Sequence, residues 1–444
     1  MHNTFAVSAR NLCALVLLLW THGSFAADDF SVSVDRHSGV YEVGETVQWR
    51  IQWHGTSPAP ASRIRVMRGG LTEVQSENLV VSNGLARYTS RFESPGALLA
   101  EVYWTEPDGR NRRSVGGAVA APERIKASAS RPRDFDRFWR SKIEELKQIP
   151  ANPQLDRAES GRDDAGYWKV TLDNIGNTKV RGQLARPLAG EKFPALLIVQ
   201  WAGVYPLSKD WVTWPAHGGW LTLNIQAHDL PVDGDDAFFR AQRQGPLADY
   251  ANLGNTNRDS SYFLRMYLGC YRAAEYLANR PDWDGRTLVV MGGSQGGMQA
   301  LATAALHPGI TAAIANVPAG CDVLGSTIGR APGWPKWNVA GSPLVGETAR
   351  YFDVVNFAAR IQCPVLIGVG LRDEVCPPEG ILAAANQIRS PKEIILLPNA
   401  GHSGEQRAHE ALENRRDSVW LPALAAGRLP PVAAERQVSE SRAQ

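Results

Sequence analysis

Six residues past the middle of the chain, Gly292-Gly293-Ser294-Gln295-Gly296-Gly297, have the types and spacing for nucleophilic chemistry. A serine hydroxyl attacks an ester only when a base takes its proton. The apolar run Thr287 to Met291 before it reads as a buried strand, and Gln295 to about Leu306 reads as a helix. A strand, a sharp turn and a helix around Gly-x-Ser-x-Gly lift the hydroxyl clear of a sheet, and the glycines let strand and helix approach. The Gln295 amide then sits at a helix N-terminus, where it can donate to an oxygen that gains charge. A Gly-rich connection without chemistry is the plain alternative, and the strand–helix context argues against it.

In such a site the chain order is serine, then acid, then histidine. His307, His402 and His409 follow Ser294. His307 ends the helix, where a cation suits the dipole. His409 reads as solvated in a polar helix. His402 lies in Asn399-Ala400-Gly401-His402-Ser403-Gly404, directly after the last strand, and is the expected base. His217 precedes a strand and is set aside. Asp373 and Asp322 compete for the acid; Asp373, after the strand Val365 to Val369, is better placed. The second oxyanion donor belongs in the loop after the strand ending at Trp201. The Val204 amide is the choice there, with Gly203 also permitted.

These side chains need a scaffold. Apolar strands at Val180 to Ala185, Ala195 to Trp201, Trp220 to Ile225, Thr287 to Met291, Ile310 to Ala315, Val365 to Val369 and Ile394 to Leu397 alternate with helical stretches. That alternation predicts an α/β domain with a doubly wound, mostly parallel sheet. Phe135 to Leu146 reads as an amphipathic helix at its entrance. Ahead of it the texture differs: Val47, Trp49, Ile51 and Trp53 alternate with polar residues, and turns recur at Asn83-Gly84, Pro95-Gly96 and Asp108-Gly109. About seven such strands predict a small all-β sandwich of immunoglobulin-like shape.

The chain has 444 residues, enough for two domains. Its formal charge of +2 offers no field for nucleic acid. Residues 1–26 read as a secretory signal peptide, with Arg10, the apolar run Leu12 to Trp20 and Ser24-Phe25-Ala26 at the cleavage site. A secreted or periplasmic protein without a membrane span is therefore expected. The β-sandwich is placed at 27–120, a linker at 121–132, the catalytic domain at 133–421 and a disordered tail at 422–444. Cys270, Cys321, Cys363 and Cys376 remain after cleavage. They allow three full disulfide pairings, or stay as free buried thiols. No Cys/His cluster has zinc spacing.

With these residues in view, the chain resembles carbohydrate esterase family seven, the acetyl xylan esterase and cephalosporin C deacetylase group, on the α/β-hydrolase fold. Asp134-Phe135-Asp136-Arg137-Phe138-Trp139 is similar to that family's entry helix, and Gly293-Ser294-Gln295-Gly296 to its serine motif. Asp373 with Cys376-Pro377-Pro378 resembles the acid loop, and Pro391-Lys392-Glu393-Ile394 leads to His402 as in the base segment. The resemblance implies removal of acetyl groups from short xylooligosaccharides and related esters, with no metal or cofactor. The family's Arg-Gly-Gln is replaced after the strand Trp220 to Ile225 by Gln226-Ala227-His228-Asp229, while an Arg-Gly-Gln stands earlier, at Arg181 to Gln183. Ser403 replaces a glutamate.

Aromatic faces stack on sugar rings. Trp211, Trp214, Trp334 and Trp337 fall in loops expected near the carboxyl edge of the sheet, and with His228 they are candidate substrate contacts. The expected partner is an acetylated oligosaccharide or another small ester, with a homo-oligomer allowed. An esterase for feruloyl or glucuronoyl esters is a second reading. A non-catalytic glycan-binding protein on the same scaffold is a third.

Overall fold

The computed structural model describes residues 29–404 and 407–432. The expected signal peptide lies outside them, as does the tail from residue 433.

Residues 30–120 form eight strands: β1 (Phe30–Val34), β2 (Val40–Tyr41), β3 (Thr46–Trp53), β4 (Ser62–Arg68), β5 (Thr72–Asn78), β6 (Leu85–Arg91), β7 (Gly96–Thr105) and β8 (Asn111–Ala120). They make a three-stranded sheet, β1-β3-β6, and a five-stranded one, β2-β8-β7-β4-β5. The period of two along β3 turns Val47, Trp49, Ile51 and Trp53 inward. There they meet Ile64, Val66, Leu98, Ala100 and Val102 of the larger sheet in one core. Burying each such large side chain contributes about 1.5–3 kcal/mol. The eighth strand, beyond the expected seven, is the two-residue β2, too short to show as a pattern.

The second unit opens with α1 (Phe135–Lys147), β9 (Gln154–Ala158), β10 (Ala165–Asp173), β11 (Lys179–Pro187) and β12 (Phe193–Val199). Next come α2 (Asp210–His217), β13 (Leu221–Ile225), α3 (Asp236–Gln244) and α4 (Tyr262–Ala278). Then follow β14 (Trp283–Gly293), α5 (Gln295–Leu306), β15 (Ala312–Asn316), α6 (Pro343–Phe352), α7 (Val354–Ala358) and β16 (Val365–Gly370). The chain continues through α8 (Pro378–Ala385), β17 (Lys392–Leu397), α9 (Glu410–Arg415) and α10 (Leu421–Ala425). The sheet order is β17-β16-β15-β14-β12-β13-β11-β10-β9. Strands β12 to β17 pair in parallel, while β9, β10 and β11 add an antiparallel edge.

Both faces are covered, which is why these strands read as unbroken apolar runs. Leu197, Leu288 and Val290 pack with α1, α4 and α5 on one face. Leu196 and Val289 pack with Trp420 and Leu424 on the other. Leu424 lies in α10 and packs on the sheet with Trp420, and Val432 joins the same cluster, so the expected disorder from residue 422 is corrected for this segment. The Ala/Pro-rich composition concealed an apolar face. The Leu424 carbonyl accepts from Thr287 Oγ1 at 3.2 Å, and that of Pro431 from Arg415 at 2.6 Å.

Residues 121–132 are a bonded tether rather than a slack linker. Asn386 Nδ2 donates to the Pro122 and Ile125 carbonyls at 2.8 and 2.9 Å. Ser128 donates to Asp322 Oδ1 from its amide at 2.8 Å and its hydroxyl at 2.6 Å. The four cysteines are buried and free. Among the described residues no helix is long and apolar enough to cross a membrane.

Candidate active site

Ser294 stands between β14 and α5 with φ 55° and ψ −122°, a conformation that L-residues rarely adopt. The turn is that tight because strand and helix nearly touch. A Cβ on Gly292 would stand 2.5 Å from the Gly296 carbonyl carbon, and one on Gly296 2.4 Å from the Val199 carbonyl oxygen. The strained serine is fixed on both sides: its amide donates to Asn316 at 2.9 Å, and its carbonyl accepts from Ala319 at 2.9 Å.

His402 follows β17 and brings Nε2 to 2.9 Å from Ser294 Oγ. Its Nδ1 lies 2.9 Å from Asp373 Oδ2. With Nδ1 donating to the carboxylate, Nε2 is left to accept the serine proton. Asp373, after β16, is fully buried. Its other oxygen, Oδ1, accepts from the amides of Val375 and Cys376, each at 2.8 Å. Three residues far apart in sequence thus form one chain of hydrogen bonds at the carboxyl edge of the parallel strands.

Asp322 serves elsewhere. It is buried, takes both Ser128 bonds on Oδ1, and holds Arg330 Nη1 at 2.7 Å on Oδ2. It anchors the tether.

The oxyanion side is built from two loops. Gln295 begins α5, and Val204 lies in the loop after β12. The Gly203 amide donates to Tyr250 Oη at 3.2 Å, so it is committed. The amide of Val204 has no acceptor among the described residues. That narrows the two expected donors to Val204. The peptide carrying this amide also carries the Gly203 carbonyl, which accepts from His228 Nε2 at 2.9 Å. His228 Nδ1 accepts from the Tyr262 hydroxyl at 2.6 Å. Burial pushes the His228 pKa down to about 4, so it stays neutral and grips the carbonyl as a fixed tautomer.

His228 is therefore corrected from a substrate contact to a brace. It is 3 % exposed and both ring nitrogens are occupied. Trp337 is corrected too: it is 3 % exposed, stacks on Phe263 at 5.3 Å and donates to the Ala251 carbonyl. Trp334 packs half-buried against Tyr250 and Phe263. Trp214 lies under the Arg162 guanidinium, 4.1 Å from the ring centre. Trp211 meets Trp201 edge-on at 5.1 Å, and Trp201 in turn stacks on Tyr205. Trp211 and Trp214 lie together on α2, whereas Trp334 and Trp337 both pack on Phe263.

Two other histidines differ from expectation. His409 is buried, with Nδ1 on the Asn316 amide at 2.7 Å and Nε2 on the Gly401 carbonyl at 3.1 Å, so it braces the loop bearing His402. His307 is held neutral by burial, its pKa pushed down to about 4, and packs at a tilt against Tyr271 rather than serving the helix dipole as a cation. Tyr250, Tyr262 and Arg372 carry structural duties at the site that no motif announces. The early Arg-Gly-Gln is remote in sequence but adjacent in space. Strand β11 pairs with β13, Gly182 opposite Ile225, and Arg181 reaches Asp229 at 2.8 Å.

Among the described residues, one group of three side chains could ligate a metal: Asp373, Cys376 and His402, with candidate atoms within 4.8 Å of one another. Its carboxylate and imidazole are already bonded to each other. The Cys376 thiol is pushed well up by burial, with the Asp373 charge adding to this, and stays protonated beside Ser294. A buried neutral thiol does not compete with the serine as nucleophile. The arrangement can take a proton from Ser294, hold the resulting imidazolium, and donate two amides to an oxyanion.

Comparison with known proteins gives the family. The family model for acetyl xylan esterase (AXE1) matches residues 123–325 and 342–417. Acetyl esterase Axe7A of Xylanibacter ruminicola is 35% identical over 391 residues, covering 85% of this chain and 88% of that protein. The solved acetyl xylan esterase of Paenibacillus sp. R4 superposes with TM-score 0.58 at 27% identity, over 67% of this chain and 98% of its own. Acetyl Xylan Esterase 1 of Thermoanaerobacterium sp. JW/SL YS485 shares the fold, with TM-score 0.56 at 22% identity over 67% and 97%. This chain is a carboxylic-ester hydrolase and belongs to the acetyl xylan esterase family, carbohydrate esterase family seven.

Proposed function

We propose that the protein removes acetyl groups from carbohydrate esters through an acyl-enzyme on Ser294. The observation that carries this reading is the continuous line from Asp373 through His402 to Ser294 Oγ, with 2.9 Å at each step across the imidazole. Ser294 Oγ attacks the acetyl carbonyl carbon while His402 Nε2 takes its proton. The carbonyl oxygen becomes an oxyanion within reach of the Val204 and Gln295 amides. Collapse expels the sugar hydroxyl, which receives the proton from His402. Water, deprotonated by His402, then attacks the acetyl-serine and releases acetate.

The relatives named for acetyl xylan and acetyl esters support the acyl group and the carbohydrate. The leader-like residues 1–26 support action outside the cytoplasm. The test is acetate release from a panel of acetylated glycans by the wild type and Ser294→Ala, with a fluorophosphonate label followed to its residue. Acetate released by the wild type alone, with the label on Ser294, is expected. A Ser294→Ala variant that hydrolyses phenyl acetate at near wild-type rate would overturn the mechanism. Release of feruloyl or glucuronoyl esters in preference to acetyl would overturn the substrate.

A further inference from the structure

The family model begins at residue 123, so β1 to β8 lie wholly ahead of it. Yet the loop that carries Asp373 rests on this amino-terminal unit. Gly117, on β8, backs onto Leu371 so closely that a Cβ there would stand 1.9 Å from the Leu371 carbonyl oxygen. A Cβ on Gly39 would meet Leu371 Cδ1 at 2.7 Å and Pro398 Cβ at 3.6 Å. Arg372 Nη2 donates to the Val32 carbonyl of β1 at 3.0 Å and to Asn399 Oδ1 at 2.6 Å. Arg113, on β8, donates to Glu374 at 2.5 Å. The residues on either side of Asp373 are therefore held by the β unit. Arg372 ties that grip to the segment that leads to His402.

A second contact points the same way. Residues 326–341 fall in the gap between the two parts of the chain that the family model matches. They dock on the same unit: the Ala331 amide donates to Gly69 at 2.7 Å, and Gly329 accepts from Thr72 Oγ1 at 3.2 Å. Helix α8, which follows the Asp373 loop, accepts the Ala97 amide on Glu379 at 2.5 Å.

We infer that the amino-terminal β unit is a positioning element of the active site: through Gly117, Arg113 and Arg372 it holds Asp373 in register with His402. The inference rests on the reading of Ser294, Asp373 and His402 given above. None of the three contact residues touches the reacting atoms, so they are positioning residues. The Asp373 loop has no helix or strand of its own between β16 and α8. A sheet behind it removes the freedom that would let the carboxylate drift, and a displacement of 1 Å at such a group can cost about a hundredfold in rate. An interface that merely joined two domains would affect stability when damaged and leave turnover alone.

The test is Gly117→Ala in the full chain, read by kinetics on 4-nitrophenyl acetate, by thermal melting, and by the far-downfield proton resonance of the His402–Asp373 hydrogen bond. A fall in kcat of about tenfold or more is expected, with KM within about twofold and the resonance shifted or lost. Wild-type kcat with an unchanged resonance would overturn the inference, whatever the melting temperature. Should Gly117→Ala fail to fold, Arg113→Ala carries the test, because its ion pair with Glu374 is partly exposed. There a fall in kcat of about two- to fivefold with the same spectral change is expected, and neither change would overturn the inference. A wild type that leaves Ser294 unlabelled by fluorophosphonate would refute the underlying mechanism instead, so the two failures are distinguishable.

Discussion

The Tyr250 hydroxyl donates to Gln295 Oε1 at 2.6 Å. The same phenol oxygen accepts from the Gly203 amide. One side chain thus joins the loop after β12, which carries Val204, to Gln295 at the start of α5, the two residues proposed to supply the oxyanion donors. Gln295 continues the link through Nε2 to the Gln200 carbonyl at 3.3 Å, where Gln299 also donates. The elbow and the loop after β12 are stitched at side-chain level as well as by the sheet.

Tyr250→Phe should therefore leave a folded protein with kcat on 4-nitrophenyl acetate lowered about tenfold, since the Gly203 amide and Gln295 Oε1 lose their shared partner. Steady-state kinetics with a thermal melt check this. Wild-type kcat would show that the two loops hold their positions without the phenol.

The Val204 amide can be removed without removing the residue. Val204→Pro has no N–H to donate, while Val204→Ala keeps it. Loss of one oxyanion donor costs about 10²–10³ in kcat, so the proline variant should fall by that order and the alanine variant by far less. Equal losses in both would assign the effect to packing of the isopropyl group.

The elbow was legible because strain, glycine spacing and a flanking strand and helix are all local properties. Asp373 and His402 were legible because the fold fixes which strand each must follow. The bracing residues were not. His228 and His409 sit on polar stretches of sequence and are buried only because distant segments close over them, Tyr262 for the first and Asn316 for the second. Trp337 reads as a loop aromatic, but Phe263, far back in the chain, supplies the face it stacks on. Strand β9 carries no apolar pattern because its edge position leaves it largely exposed. The segment from Pro422 reads as disordered by composition: Leu421 and Leu424 are few, yet they meet an apolar face already formed.

The two aspartates separate catalysis from folding. Asp373→Asn keeps the shape but favours the wrong imidazole tautomer. The serine-protease precedent for that change is about ten-thousandfold in turnover, and a loss of comparable order is expected here with little change in melting temperature. Asp322→Asn weakens the bond to Arg330 and should cost about 1–3 kcal/mol of stability while kcat stays near wild type. Kinetics and melts on both variants check this; the reverse pattern would mean the acid was misassigned.

His307 offers a pH test away from the chemistry. Its folded pKa, about 4, lies below the ordinary 6.5, so the unfolded chain binds the proton first. Its contribution to stability is intact above about pH 6.5 and is lost progressively as pH falls towards 4. Between pH 7 and pH 5 the wild type should lose about 2 kcal/mol more than His307→Gln, measured by denaturant unfolding at both pH values. An equal loss in both proteins would show that the imidazole is not held neutral.

The bonded tether has a consequence for proteolysis. Where two domains hang on slack chain, one cut separates them. Here residues 122, 125 and 128 are each pinned to the catalytic unit, and the Lys126 backbone carbonyl accepts from Arg330 Nη1 at 2.8 Å. A single nick between residues 121 and 132 should yield two fragments that elute as one species and still hydrolyse acetyl esters. Covalent continuity is then dispensable once the chain has folded, and the two parts behave as subunits that happen to be encoded together.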